Sequence, residues 1–307
     1  MKLFKKITAS NLFYNFLRDP MAIGSATVLL FLLVASFGAP LFTSHNPYDQ
    51  TTIDIMDAEL PPIWTGAADA DSRFLLGTDP QGRDMLSTML YGMRVSVLIG
   101  AGAVVLQSLI GIIIGLIAGY KGGRLEALLM RLADVQLSFS TYMVAIFISA
   151  VFQGIFGMGV YSDYALGLLI LVIGFAEWPQ YARTVRASVM AEKNKEYVEA
   201  ARVIGLPQRR IMFRHILPNT MTPVLVISTV QMANAIMSEA ALSFIGLGMP
   251  PSQPSLGSLI KSGFDYIASG SWWISLFPGI ALVVLILSIN LLGDWLRDYL
   301  NPKLYKD

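Results

Sequence analysis

The chain has 307 residues, of which 54% are hydrophobic and 14% charged, with a net charge of +1 and no cysteine. Soluble domains carry about a quarter charged residues, so a water-soluble globular protein is excluded, and the near-neutral balance gives no electrostatic basis for binding nucleic acid. Without cysteine there is no disulfide framework, thiolate metal site or thiol nucleophile. A mean hydropathy of +0.58 points to a membrane protein.

Six apolar stretches approach the roughly 20 residues that a bilayer crossing needs. The first, 21–42, follows Lys2, Lys5, Lys6 and Arg18. Basic residues before an apolar run mimic a signal peptide, but this run is long enough to span, so an uncleaved first helix is expected. Residues 44–94 read as a long acidic loop carrying Asp49, Asp54, Asp57, Glu59, Asp69, Asp71, Asp79 and Asp84. Pro61, Pro62 and Gly66 argue against regular structure there. The run from Leu76 to Asp84 has turn chemistry at Asp79-Pro80 and Gly82, and Asp84 is placed to cap a helix starting just after it.

The second span, 95–120, carries Ala103, Gly111, Gly115 and Gly119 at spacings in multiples of four. Such a small-residue face lets another helix approach closely in lipid. That partner is either a helix of the same subunit or one of a second subunit. The third span is read at 135–154 and the fourth at 164–182, the latter interrupted by Glu177 and Pro179.

The connection 183–217 is a charged, helix-forming island between spans. Asn194 suits an N-cap. Tyr197, Ala200, Ala201 and Ile204 fall at i, i+3, i+4 and i+7 and form one stripe of a short helix. Gly205 can end that helix in a left-handed turn, and Pro207 suits the first turn of a second short helix bearing Arg209, Arg210 and Arg214. A membrane-surface helix exposes large apolar residues. An Ala-Ala face buries little area in lipid, which favours a protein partner. The fifth span is read at 216–238, entered at Pro218. A Pro- and Gly-rich outer loop, 246–270, follows, and the sixth span is read at 271–293. Trp272 and Trp273 mark its outer interface, Trp295 and Tyr299 its inner one.

Residues 1–20, 121–134, 183–215 and 294–307 together hold 18 of the 22 Lys and Arg. The side rich in Lys and Arg is cytoplasmic, so both termini and the 183–217 loop are placed inside. There is no G-x-x-x-x-G-K-[ST] phosphate loop and no H-E-x-x-H pair. The two histidines, His45 and His215, are read as structural, and no catalytic, cofactor or metal site is assigned.

Glu199-Ala-Ala201, Gly205 and Leu217-Pro218 resemble the "EAA" loop of ATP-binding-cassette (ABC) importer permeases. Phe16 to Ala22, Leu76 to Asp84, Glu196 to Asn219, Glu239 to Gly248 and Leu292 to Asp298 are together similar to the C-type permease subunit of dipeptide, oligopeptide and nickel importers. Three positions depart from the family's pattern: His215 and Glu177, and Leu256 where a Trp before Gly257 is usual.

The resemblance implies an all-α polytopic membrane protein with six transmembrane helices in the type I importer permease fold, in a bacterial inner membrane. Its parts would be 1–43 with the first span, an extracytoplasmic loop 44–94, a core 95–295 and a tail 296–307. The expected partners are a second homologous permease, two cytoplasmic ATPase subunits, an extracytoplasmic substrate-binding protein, peptide-like cargo and membrane lipid. Glu196, Tyr197, Glu199, Ala200, Ala201, Ile204 and Gly205 would couple to an ATPase. Asp79, Gly82, Arg83, Asp84, Pro250, Pro251 and Gly257 would form a binding-protein platform or outer gate. The rival reading is an ion-coupled secondary transporter, which needs ionisable residues at depth and repeated halves. Glu177, flanked by Arg183 and Arg186 as potential partners, and Glu239 are the candidates, but no internal repeat is present.

Overall fold

The structure, a computed structural model, describes residues 11–300 apart from 44, 50 and 52, and no side chain of residues 11–13. Lys2, Lys5, Lys6 and the tail beyond residue 300 lie outside the described residues. Among the described residues the regular elements are helices, and the extended pairing is a lone bridge between Thr78 and Asp84. In order they are α1 (Asn11–Phe16), α2 (Pro20–Phe37), α3 (Met85–Lys121), α4 (Gly123–Ser138), α5 (Thr141–Glu192), α6 (Glu196–Val203), α7 (Met221–Phe244), α8 (Leu256–Asp265) and α9 (Trp273–Leu300), besides single turns.

Two of the long helices start at a side-chain cap. Asp19 accepts hydrogen bonds from the backbone N–H of Met21 and Ala22, with Pro20 in the first turn of α2, the position where its missing N–H costs nothing. Asp84 caps α3 through the N–H of Ser87. Helix α3 therefore begins ten residues before the apolar run itself, and the outer loop ends at Asp84 rather than at 94. A helix that leaves the hydrocarbon can continue as long as its polar end is capped.

Five helical stretches are long and apolar enough to cross a membrane, against six expected spans. The difference lies in α5. Its 52 residues would make a rod of about 78 Å, far beyond a hydrocarbon core of about 30 Å. It is not one rod. Gly157, at φ 82° and ψ 166°, breaks it, and Thr141 donates a hydrogen bond to the Glu177 carboxylate from the other limb. The limbs 141–156 and 158–192 thus lie side by side as a hairpin, and the chain crosses six times. The third crossing starts after a break at Phe139–Ser140 and not at 135, because α4 is a separate amphipathic helix. Two ion pairs, Glu126–Arg186 and Asp134–Arg183, hold α4 along the inner part of the second limb. Those pairs also take the arginines expected to neutralise Glu177.

The close-packed seam is α3 against the second limb of α5. A Cβ at Gly111, Gly115 or Gly119 would fall within 3 Å of Tyr181, Ala182, Val185 or Val189. The small-residue face is therefore used inside this subunit. Around that seam Val95, Ile99, Leu169, Ile173 and Leu242 form an outer core, and Leu116, Tyr181, Val185, Ile211 and Ile216 an inner one. Leu30, Phe31, Leu109, Ile113, Phe147, Leu171, Val283 and Leu287 are exposed on the spans, which suits contact with acyl chains. Trp64, Trp272 and Phe277 cluster at the outer end, and Phe16, Trp295 and Tyr299 at the inner end, forming aromatic belts at both interfaces. The outer loop 246–270 contains more helix than its Pro and Gly content suggests. Ser255 and Ser258 form a reciprocal capping box that starts α8.

Candidate functional site

At the inner end, α6 begins at Glu196 with Lys195 as its N-cap, one residue later than the Asn194 start expected from sequence. Glu196 and Glu199 occupy the first turn and Arg202 the last, each on the side the helix dipole favours. Gly205 stops the helix at φ +78°. There Leu206 N–H donates to the Ala201 carbonyl at 3.1 Å and Gly205 N–H to that of Arg202 at 3.0 Å, closing the orphaned carbonyls as a Schellman turn does. Pro207 caps, and so precedes, the next turn, Gln208–Arg210. A π-helical turn, Ile211–Ile216, leads to Pro218, whose ring cannot fit an ordinary α turn.

The expected four-residue stripe divides between two faces. Ala201 is 4% exposed and packs inward with Val198, at 0%, on Ile211 and Ile216 and on Val185 and Val189 of α5. Tyr197, Ala200, Ile204 and Val203 face outward, Ile204 at 73% and Val203 at 87% exposure. Sequence periodicity missed Val198 and Val203. The i, i+3 pair Val198–Ala201 carried the inward signal, but the larger Tyr197 and Ile204 masked it. Glu196, Glu199, Arg209, Arg210 and Arg214 are exposed around the outward face.

This loop is fastened to the spans. The Tyr197 hydroxyl donates to the Glu192 carboxylate and accepts from Asn219 Nδ2 at 3.0 Å. Partial burial, and then the Glu192 carboxylate, raise the Tyr197 phenol above its ordinary pKa, so the hydroxyl keeps its proton. Lys195 pairs with Glu192 at 2.7 Å, and Lys193 Nζ donates to the Gly119 carbonyl at 2.8 Å. The loop thereby grips the inner ends of both α3 and α5.

At the outer end, Asp79 accepts from the backbone N–H groups of Gln81 and Arg83, each at 2.9 Å, and from Arg83 Nε at 2.7 Å. Arg83 Nη1 then donates to the Pro251 carbonyl at 2.9 Å, so one buried guanidinium ties the first outer loop to the third. Gly82 sits at φ +79°, and a Cβ there would lie 2.0 Å from the Asp54 carbonyl oxygen. Asp79, Gly82, Arg83 and Asp84 are buried, which makes them a scaffold and not a contact surface. Gly257 is likewise buried, against Ala240 of α7, while Pro251 is exposed and Pro250 half-buried. Beneath the Pro-rich segment lies a cavity of about 340 Å³ bordered by Arg83, Tyr161, Ser243 and Lys261.

The sequence reading named Glu239 but not its serine partners, and it missed a second polar cluster, Gln231 with Asn234. Glu239, fully buried in α7, accepts from Ser96 of α3 at 2.8 Å and from Ser243 at 2.6 Å. Ser96 Oγ and Ser243 Oγ in turn accept from the backbone of Leu256 and Met249. Glu239 therefore anchors the outer loop and is itself 0% exposed. Deeper in α7, Gln231 and Asn234 are hydrogen-bonded to each other at 2.9 Å. The inner and outer residue sets stand at opposite ends of the same helices, joined through α3, α5 and α7.

The family model of the binding-protein-dependent transport system inner membrane component matches residues 111–306, and that of the N-terminal TM domain of oligopeptide transport permease C matches residues 10–62. The di/tripeptide transport system permease protein DppC of Pseudomonas aeruginosa is 38% identical, covering 94% of this chain and 90% of its own. The dipeptide transport system permease protein DppC of Escherichia coli is 38% identical, covering 92% and 88%. The oligopeptide transport system permease protein OppC of Bacillus subtilis is 35% identical, covering 92% and 86%. Among solved structures, an inward-facing MetNI methionine ABC transporter chain matches in fold at 17% identity and a TM-score of 0.57, covering 71% of this chain and 98% of that one.

Proposed function

This chain belongs to the family of binding-protein-dependent transport system inner membrane components, and we propose that within that family it moves short peptides, di- to oligopeptides, into the cell. It is a multi-pass permease subunit of an ATP-driven importer in the bacterial inner membrane, and ATP hydrolysis belongs to separate subunits. As a member of this family it works with ATPase subunits, a substrate-binding protein and a second permease. The peptide reading rests on relatives named as dipeptide and oligopeptide permeases that cover most of the chain.

The observation that carries the mechanism is the division of α6 into two faces. The Val198–Ala201 face is embedded in the inner core, and the Tyr197–Ala200–Ile204 face, extended by Val203, is free. A partner gripping the free face moves α3 and α5 with it, because Lys193, Glu192 and Val198 bind the helix to both. In this proposal Glu196, Tyr197, Glu199, Ala200 and Ile204 meet a cleft in one of two ATPase subunits, while Ala201 and Gly205 shape the helix from behind. ATP-driven closure then changes which side the path opens to, as only contacts that differ between two states can do.

At the outer end, Asp79, Gly82, Arg83, Asp84 and Gly257 hold the gate loops in shape, and Pro250 and Pro251, with the exposed Gln81 and Gln253, present the surface a loaded binding protein meets. The ion-coupled alternative is disfavoured: Glu239 is sealed among serines and Glu177 is bonded to Thr141. The test is reconstitution of the permease pair with its ATPases and binding protein in proteoliposomes. Uptake of labelled Ala-Ala and Ala-Ala-Ala should require ATP and the binding protein. Uptake that runs on an ion gradient without nucleotide would overturn the mechanism.

A further inference from the structure

Gln231 and Asn234 lie one turn apart on α7 and border a groove of about 560 Å³ between α5, α7 and α9. Gln231 stands ten residues from Met221, the inner start of α7, hence about 15 Å along the helix. That places the pair inside the span, between the inner end of α7 and Glu239. Gln231 is 3% exposed, its Oε1 accepts from Asn234 Nδ2 at 2.9 Å, and its Nε2 is buried with no hydrogen-bond partner. A buried amide N–H is rarely left unpaired, and lipid offers it nothing.

Two primary amides joined by one hydrogen bond leave one NH2 group and one carbonyl oxygen wholly unengaged between them. Here these are Gln231 Nε2–H and Asn234 Oδ1. Turning both amides end for end leaves the same count. A peptide unit offers the complementary set, one carbonyl oxygen and one N–H. Among the described residues no ionisable side chain borders the groove at this depth. The one that does border it, Arg297, lies at the inner end of α9. A site without charge inside the span reads a backbone and ignores side-chain charge. A subunit seam in lipid is instead built from small residues in close contact, whereas Val226, Val230 and Gln231 leave this groove open.

We propose that Gln231 and Asn234 form a station within the membrane span that hydrogen-bonds the backbone amide of the passing peptide. This rests on the peptide reading given above. Gln231 Nε2 is enclosed beside the groove in the present conformation, so the donor meets cargo in a state of the cycle that turns it into the groove.

The test uses the complete transporter in proteoliposomes, with one binding protein throughout. The probes are Ala-Ala-Ala and its ester isostere, in which the second amide N–H is replaced by oxygen. Loss of one hydrogen bond is worth about ten-fold in rate. Wild type should prefer the amide, and Asn234→Leu should reduce that preference about ten-fold, since it removes the acceptor that senses the N–H. Gln231→Leu should slow both probes alike, because both retain the carbonyl, while the half-saturating concentration of loaded binding protein stays constant. With both amides turned, the two variants exchange roles, so an amide-to-ester ratio unchanged in both Asn234→Leu and Gln231→Leu overturns the proposal.

Since the chain has no cysteine, Asn234→Cys gives a second readout that survives any loss of activity. It should react with a small charged methanethiosulfonate, and Ala-Ala-Ala delivered by the binding protein should protect it. A cysteine that crosslinks to the second permease and stays unreactive in every nucleotide state would make the groove a subunit seam and overturn the station. A wild-type assembly that hydrolyses ATP but moves neither probe would instead refute the peptide cargo, and the station with it.

Discussion

At the residue scale, neighbours in sequence carry opposite risks. Ala200 faces out and Ala201 faces the core. Ala200→Arg should leave the permease folded but break its grip on the ATPase, giving full yield of the membrane subunit with uptake and stimulated ATP hydrolysis reduced more than ten-fold, consistent with the loss of a packed interface residue worth about 1.4 kcal/mol or more. Ala201→Arg should instead lower the yield of folded subunit, because it forces a charge against Val185 and Ile216. Fluorescence-detected size exclusion separates the two outcomes. If both variants behave alike, the two-faced reading of α6 is wrong.

The two left-handed glycines at the sites differ in the same instructive way. Nothing lies within 4 Å of a Cβ built on Gly205, whereas one on Gly82 meets the Asp54 carbonyl oxygen at 2.0 Å. Gly205→Ala therefore carries only the backbone penalty, about 1–2 kcal/mol, and Gly205→Asn should recover part of it. Gly82→Ala adds an overlap with fixed backbone and should loosen the Asp79–Arg83–Pro251 connection. Proteolysis of the outer loops, slow in the wild type and fast in Gly82→Ala, checks this.

At the element scale, α3 and α7 carry the structural burden. Gly115→Leu should wedge α3 away from α5, since the added side chain starts 2.6 Å from the Ala182 carbonyl oxygen. Overpacking of this kind costs about 1–3 kcal/mol or more, and the expected result is a fall in thermal stability of the solubilised subunit. Glu239 acts between elements. It joins Ser96 of α3 to Ser243 of α7, and these serines hold the backbone of Met249 and Leu256. Glu239→Gln keeps one acceptor and should be tolerated. Glu239→Leu leaves hydroxyls unpaired at about 1–3 kcal/mol each and should raise hydrogen exchange across 246–258 while exchange in α6 stays unchanged.

At the scale of the whole molecule, two fastened loops sit at the ends of a common set of helices. The inner loop is tied to α3 and α5 by Lys193, Glu192 and Tyr197. The outer loops are tied to α3 and α7 by Asp84, Arg83 and Glu239. A displacement applied at α6 therefore reaches the outer gate through packed helices and not through a flexible tether. Disulfide crosslinking of cysteines placed at Gln81 and Gln253, in the cysteine-free background, should block uptake when formed and release it on reduction. If uptake continues at the wild-type rate with the crosslink in place, the outer loops do not move against each other during transport.

The sequence by itself determined the membrane class, the orientation, the number of crossings and the family. Those depend on the length of apolar runs, on where lysine and arginine fall and on local motifs, all of them properties of contiguous residues. Caps at Asp84 and the stop at Gly205 were legible for the same reason. Only the tertiary structure decided which side of α6 is free, where Glu239 finds its partners, that the glycine face of α3 is used at home, and that Gln231 and Asn234 share a groove. Each of these depends on which distant segment fills the space beside a residue. An alternation of small and large residues marks a face but does not say what covers it. Arg83 and Pro251, 168 positions apart and joined by one hydrogen bond, show how far beyond local pattern that information lies.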